Sequence, residues 1–95
     1  FDSHHPYGCV RVRATHDRSG ENPIAIIDVI DNGSGIHHKW WESVFDLGFS
    51  TRPNGSGLGL FITKALVTSC GGSAQVQDSI IFVGTTFRVT LVCYP

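Results

Sequence analysis

Three glycines in five positions, Gly55, Gly57 and Gly59, open an apolar helical pattern that runs on to Cys70. A glycine-rich turn feeding a helix start is a ready-made anion site. The first backbone N–H groups of a helix have no internal partner, and the dipole puts positive charge there. Glycine matters because a side chain would hold the backbone away from a phosphate. Alone the run carries little weight, since glycine also punctuates ordinary loops. It gains weight from Asp31-Asn32-Gly33-Ser34-Gly35 upstream and from residues 45–52 between the two.

Two common phosphate motifs are excluded. A dinucleotide fingerprint starting at Gly55 needs a sixth-position glycine where Leu60 stands, and one starting at Gly33 needs it at His38. A Walker A loop needs Gly-Lys-Ser/Thr, whereas the nearby Lys64 follows Thr63. Arg52 is either a bidentate donor that screens phosphate charge or a solvated loop cation.

These residues need elements to position them. The polar residues 1–8 read as a loop or disordered start. Residues 9–15 alternate, with Val10, Val12 and Ala14 on one side and Arg11, Arg13 and Thr15 on the other, as in a half-buried strand. Residues 24–30 form a second strand. Ala25, Ile27, Val29 and Asp31 share one face, and Ile24, Ile26, Asp28 and Ile30 the other. Both faces are largely apolar, which makes the strand central and puts the Asp31 carboxylate at the rim of an apolar face. There it can hold a polar edge of a flat ligand.

Asn32-Gly33 alone would read as a hairpin turn. Instead of a strand, Trp41, Val44 and Phe45 follow at helical spacing, so a short helix is expected. Ser56 is the expected N-cap of a helix from Gly57, with Leu58, Phe61, Ile62, Ala65, Leu66 and Ser69 as its buried stripe. Gly71-Gly72 ends it. Residues 74–77 form a third strand, Asp78-Ser79 a turn, and residues 86–92 the last strand, with Arg88 and Thr90 outward. The order β, β, short α, loop, α, β, β makes an α+β, two-layer α/β sandwich with helices on one face of at least four strands.

Composition bounds the function. Ninety-five residues make one domain, and 41% hydrophobic with 16% charged content excludes a disordered chain. Seven basic against eight acidic residues leave no basic stripe for nucleic acid. The apolar run at residues 80–83 is far too short to span a bilayer, and the first residues carry no signal-peptide pattern. With no methionine and Phe1 first, the chain reads as a fragment of a longer protein. Cys9, Cys70 and Cys93 read as buried thiols of a reducing compartment. The adjacent pairs His4-His5 and His37-His38 read as loop histidines rather than zinc ligands.

Together these stretches resemble the Bergerat-fold (GHKL) ATPases: gyrase B, Hsp90, MutL and the histidine kinases. Asp31-Asn32-Gly33-Ser34-Gly35-Ile36 resembles the G1 box, residues 44–52 the F box and Gly55-Ser56-Gly57-Leu58-Gly59-Leu60 the G2 box. Gly71-Gly72 and Gly84-Thr85-Thr86-Phe87 match the C-terminal half. The combination is most similar to sensor histidine kinases with a very short lid. The resemblance implies a mixed sheet and an ATP site. Asp31 would accept from the adenine amino group, with Gly33 and Ile36 alongside and Gly35 letting the base approach the backbone. Phe49, Ser50, Thr51 and Arg52 would cover the nucleotide, while Gly55, Ser56, Gly57, Leu58 and Gly59 cradle its phosphates and Thr86 completes the set. The family's N-box helix, whose asparagine helps bind Mg2+, has no counterpart in residues 1–8, so no metal ligand is expected within the chain.

The resemblance therefore implies a truncated ATP-binding domain over residues 1–95, from a cytoplasmic two-component kinase whose parent is free to carry a membrane anchor. The parent would use ATP and Mg2+ to phosphorylate a histidine on a separate dimerisation domain, and then serve a response regulator. No catalytic residue is assigned, and the fragment alone is expected to be inactive. The alternatives are another GHKL ATPase or a non-catalytic interaction module. The module would use Ile26, Ile30, one of Trp40 and Trp41, and residues 80–83, or form a homodimer through surface bared by truncation.

Overall fold

The computed structural model describes residues 8–49 and 59–93. Strands β1 (Val10–Asp17) and β2 (Ile24–Asp31) lead through two 3₁₀ turns, His38–Trp40 and Ser43–Phe45, to helix α1 (Gly59–Ser69). Strands β3 (Ser73–Ile80) and β4 (Gly84–Val92) follow. The sheet order is β1-β2-β4-β3, so β2 is central as its two apolar faces require. A mixed sheet was expected, but every described pairing is antiparallel. The reason is the position of β4: β2 and β3 do run parallel, joined through α1, but β4 lies between them.

The short helix expected before Phe45 is instead two 3₁₀ turns, closed by i→i−3 bonds from Trp40, Trp41, Phe45 and Asp46. Three-residue pieces are too short to repay α-helix nucleation. They still perform the packing role read from the sequence, because Val44 and Phe45 join Ala74 and Val76 as the buried core. The Phe45 ring meets Phe87 edge-on at 6.3 Å.

Helix α1 differs from its expected stripe. Leu60 and Val67 pack on the core, whereas Phe61, Ile62 and Leu66 are exposed. The segment is apolar on nearly every side, so spacing alone could not select the buried face. Gly71, at φ 79°, ends the helix, and the Gly72 amide donates to Val67 O at 3.0 Å, as in a Schellman closure.

Three further expectations are corrected. Strand β1 is exposed along most of its length because it is an edge strand and no described element covers Val10 or Val12, which are 56% and 67% exposed. Cys9 and Cys70 are exposed rather than buried. Asp78 and Ser79 belong to β3 rather than to a turn. The register shifts between Val76 and Asp78, so one extra residue is absorbed as a bulge and the chain reverses only at residues 81–83.

The outward face holds an ion cluster. Register sets Arg13, Asp28 and Arg88 side by side across β1, β2 and β4. The Asp28 side chain is 4% exposed; Arg88 grips it at 2.8 and 3.0 Å, and Arg13 at 3.0 Å. The Arg88 hydrogen bonds hold the Asp28 carboxyl at about 2, against the upward push of burial and with help from Arg13.

Two predictions follow from packing. A lowered folded-state pKa gives stability that is present above the unfolded value and is lost as pH falls toward 2. The urea midpoint should therefore fall between pH 5 and pH 2. Arg88→Met should cost about 2 kcal/mol at pH 7 and flatten that dependence; an unchanged midpoint at pH 7 would show the cluster to be energetically neutral. The second concerns Phe82, which sits at φ 65° in the β3–β4 turn with 80% of its surface exposed. A bulky side chain in this left-handed region is strained, so Phe82→Gly should raise stability by about 0.5–1 kcal/mol in thermal unfolding.

Candidate functional site

Strand β2 ends at Asp31, and the loop after it is fastened to the β3–β4 hairpin. Asp31 Oδ1 accepts from the Gly33 amide at 2.9 Å and the Thr85 amide at 3.2 Å. The first bond is an Asx turn that folds the loop back; the second crosses to β4. Among the described residues no donor reaches Oδ2. The described hydrogen bonds therefore orient the carboxylate through Oδ1 alone.

The loop continues along the hairpin. The Phe82 amide donates to Ser34 O at 2.8 Å, and the Ile36 amide donates to Ser79 Oγ at 2.7 Å. Gly35 has φ 83°, and a Cβ there would meet Ile80 O at 2.5 Å. Glycine is thus required at this position by the protein's own packing, before any base is considered. The Trp41 indole closes the far side by donating to Ile36 O at 2.9 Å, which leaves Trp40 as the exposed member of the pair. Phe49 is half-buried against the core, its ring 5.8 Å from Trp40.

Among the sequence-predicted site residues, Asp31, Gly33, Gly35 and Ile36 are brought together in one loop. Gly59 is the first residue of α1. Ser50, Thr51, Arg52, Gly55, Ser56, Gly57 and Leu58 lie outside the described residues. Thr86 pairs with Ile30 on the β2 side and Asp78 on the β3 side, so alternation turns it away from Asp31. Its neighbour Thr85, 4% exposed, is the threonine that reaches the site. Sequence reasoning passed over Thr85 because choosing between adjacent threonines requires the register of β4 against β2. It passed over Ser79 because a bulge leaves no periodic signature.

A hollow of about 770 Å³ lies elsewhere, between Trp41, Phe45, Lys64 and the Ala74–Val76 part of β3. It includes none of the predicted site residues. Among the described residues no three His, Cys, Asp or Glu side chains converge as metal ligands.

Comparison with known proteins bears on the family and the fold. The family model described as histidine kinase-, DNA gyrase B- and HSP90-like ATPase matches residues 2–94. A probable C4-dicarboxylate sensor kinase of Halalkalibacterium halodurans is 42% identical over 72 residues, covering 75% of this chain and 13% of that protein. Among solved structures, the mycobacterial sensor histidine kinase MprB superposes with a TM-score of 0.71 at 30% identity, over 90% of this chain and 58% of the other. Full-length ShkA in complex with AMPPNP gives a TM-score of 0.77 at 24% identity over 94% and 18%, a likeness of fold. The chain spans 10–13% of the length of the curated relatives it matches first. With a family model matched over nearly its whole length, this chain belongs to the histidine kinase-, DNA gyrase B- and HSP90-like ATPases.

Proposed function

We propose that the chain is part of the ATP-binding domain of a sensor histidine kinase, and that Asp31 reads the adenine. The observation that carries this reading is the divided Asp31 carboxylate: Oδ1 is committed to two backbone amides, and no described donor occupies Oδ2. An acceptor held rigidly at a sheet edge suits an exocyclic amino group. The amides of Gly55 to Gly59, the sequence that leads into α1, would hold the phosphates. In the whole protein the γ-phosphoryl group would pass to a histidine nitrogen on a separate helical domain, with ADP leaving, and from there to a response regulator. Catalysis of that kind is positioning and charge neutralisation.

In the whole protein Mg2+ would accompany the ATP phosphates; among the described residues no three His, Cys, Asp or Glu side chains converge to hold it. The ATP reading puts the domain in the cytoplasm. No helix among the described residues is long and apolar enough to cross a membrane.

Asp31→Asn tests the base assignment. Its amide oxygen can still accept from Gly33 and Thr85, which turns its NH₂ group toward the ligand. ATP affinity should drop at least 10-fold (about 1.4 kcal/mol) in calorimetric titration, and the ratio of ATP to ITP affinity should fall, because ITP carries an acceptor where ATP carries the amino group. An unchanged ratio removes Asp31 from base recognition. The 95-residue chain carries the G1 and G2 boxes without an N box, so by itself it should bind ATP with a Kd on the order of 0.1–1 mM and incorporate no phosphate. Micromolar affinity would show the N box to be dispensable.

A second reading, an interaction module on the same fold, is favoured by the exposed cluster Ile80, Ile81, Phe82 and Val83 together with Val10 and Val12. Light scattering over a concentration series separates the two; a strictly monomeric chain counts against the module.

A further inference from the structure

We infer that Ser79 is a positioning residue for the base-reading loop, and that the β3 bulge exists to aim it there. The inference rests on the nucleotide reading above. Val76 pairs with Phe87, and Ser79 pairs with Thr85. Two steps along β4 keep the same face; three steps along β3 would reverse it. The unpaired extra residue, Gln77, restores the match, so Ser79 faces the same side as Val76, Thr85 and Asp31. A regular strand would have turned its hydroxyl to the outer face.

Once aimed inward, the hydroxyl is fully engaged. A serine has one proton to donate and two lone pairs to accept with. Ser79 Oγ accepts from the Ile36 amide at 2.7 Å, lies 2.7 Å from Thr85 Oγ1 and lies 3.2 Å from Gly84 O. All three are satisfied when Thr85 donates to Ser79 and Ser79 donates to Gly84 O. The buried Thr85 in turn gives its backbone amide to Asp31. One hydroxyl therefore ties the far end of the loop, at Ile36, to the strand residue that orients the Asp31 carboxylate at the near end. Ser79 touches no base itself; it sets the spacing of the groups that do.

Ser79→Ala removes the hydroxyl that links the two ends, and Ser79→Thr keeps it. In NMR titrations of the 95-residue chain, Ser79→Ala should weaken ADP binding about 5- to 10-fold and leave inorganic tripolyphosphate binding within 2-fold. Hydrogen exchange at the Ile36 amide should speed up at least 10-fold, and Ser79→Thr should restore both. Retained ADP affinity in Ser79→Ala overturns the assignment. Equal loss of ADP and tripolyphosphate also overturns it, because it would mark general loosening of the domain. A wild-type chain with no ADP-dependent shift overturns the nucleotide reading and this assignment with it.

Discussion

The loop after β2 has its shape because one carboxylate oxygen receives two backbone amides, from Gly33 two residues on and from Thr85 on a strand 54 residues away. A loop of Asn, Gly and Ser has little apolar surface to bury, so hydrogen bonds must hold it, among them the pair between Asn32 and Cys9. Asp31 converts it into an extension of the sheet. The Phe82–Ser34 and Ile36–Ser79 bonds then carry the fastening to its far end. The same contacts make the loop dependent on the β3–β4 hairpin: any shift of that hairpin moves the groups around Asp31.

The two faces of the sheet solve different problems. The inner face buries a small set of side chains, Val44, Phe45, Ala74 and Val76, under the 3₁₀ turns and α1. The outer face carries no helical layer among the described residues, yet Asp28 is buried there. Arg13 and Arg88 reach it from the flanking strands, and their guanidinium groups meet the carboxylate. A buried charge in the middle of the central strand is tolerated only because both neighbours answer it. The cluster pins the register of three strands, and through β4 it sets where Thr85 falls.

What could be read beforehand divides along physical lines. The existence and type of the main elements were legible, because alternation and helical spacing repeat within a few residues. So were the central place of β2, the terminal place of Asp31 and the side from which Val10, Val12 and Ala14 project. The buried face of α1 was not, because Leu60, Phe61, Ile62, Leu66 and Val67 make that helix apolar around most of its circumference. Which of them meets the core depends on what packs against it.

By itself the sequence determined the order of the glycine boxes, the carboxylate at a strand end and hence the family, since each is written in neighbouring residues. Only the tertiary structure decided that Thr85 rather than Thr86 meets Asp31, that Ser79 meets Ile36 across 43 residues, and that Arg88 meets Asp28 across 60. Those partners follow from strand register. Register accumulates over whole strands and turns on one unpaired residue at a bulge, which no local pattern announces.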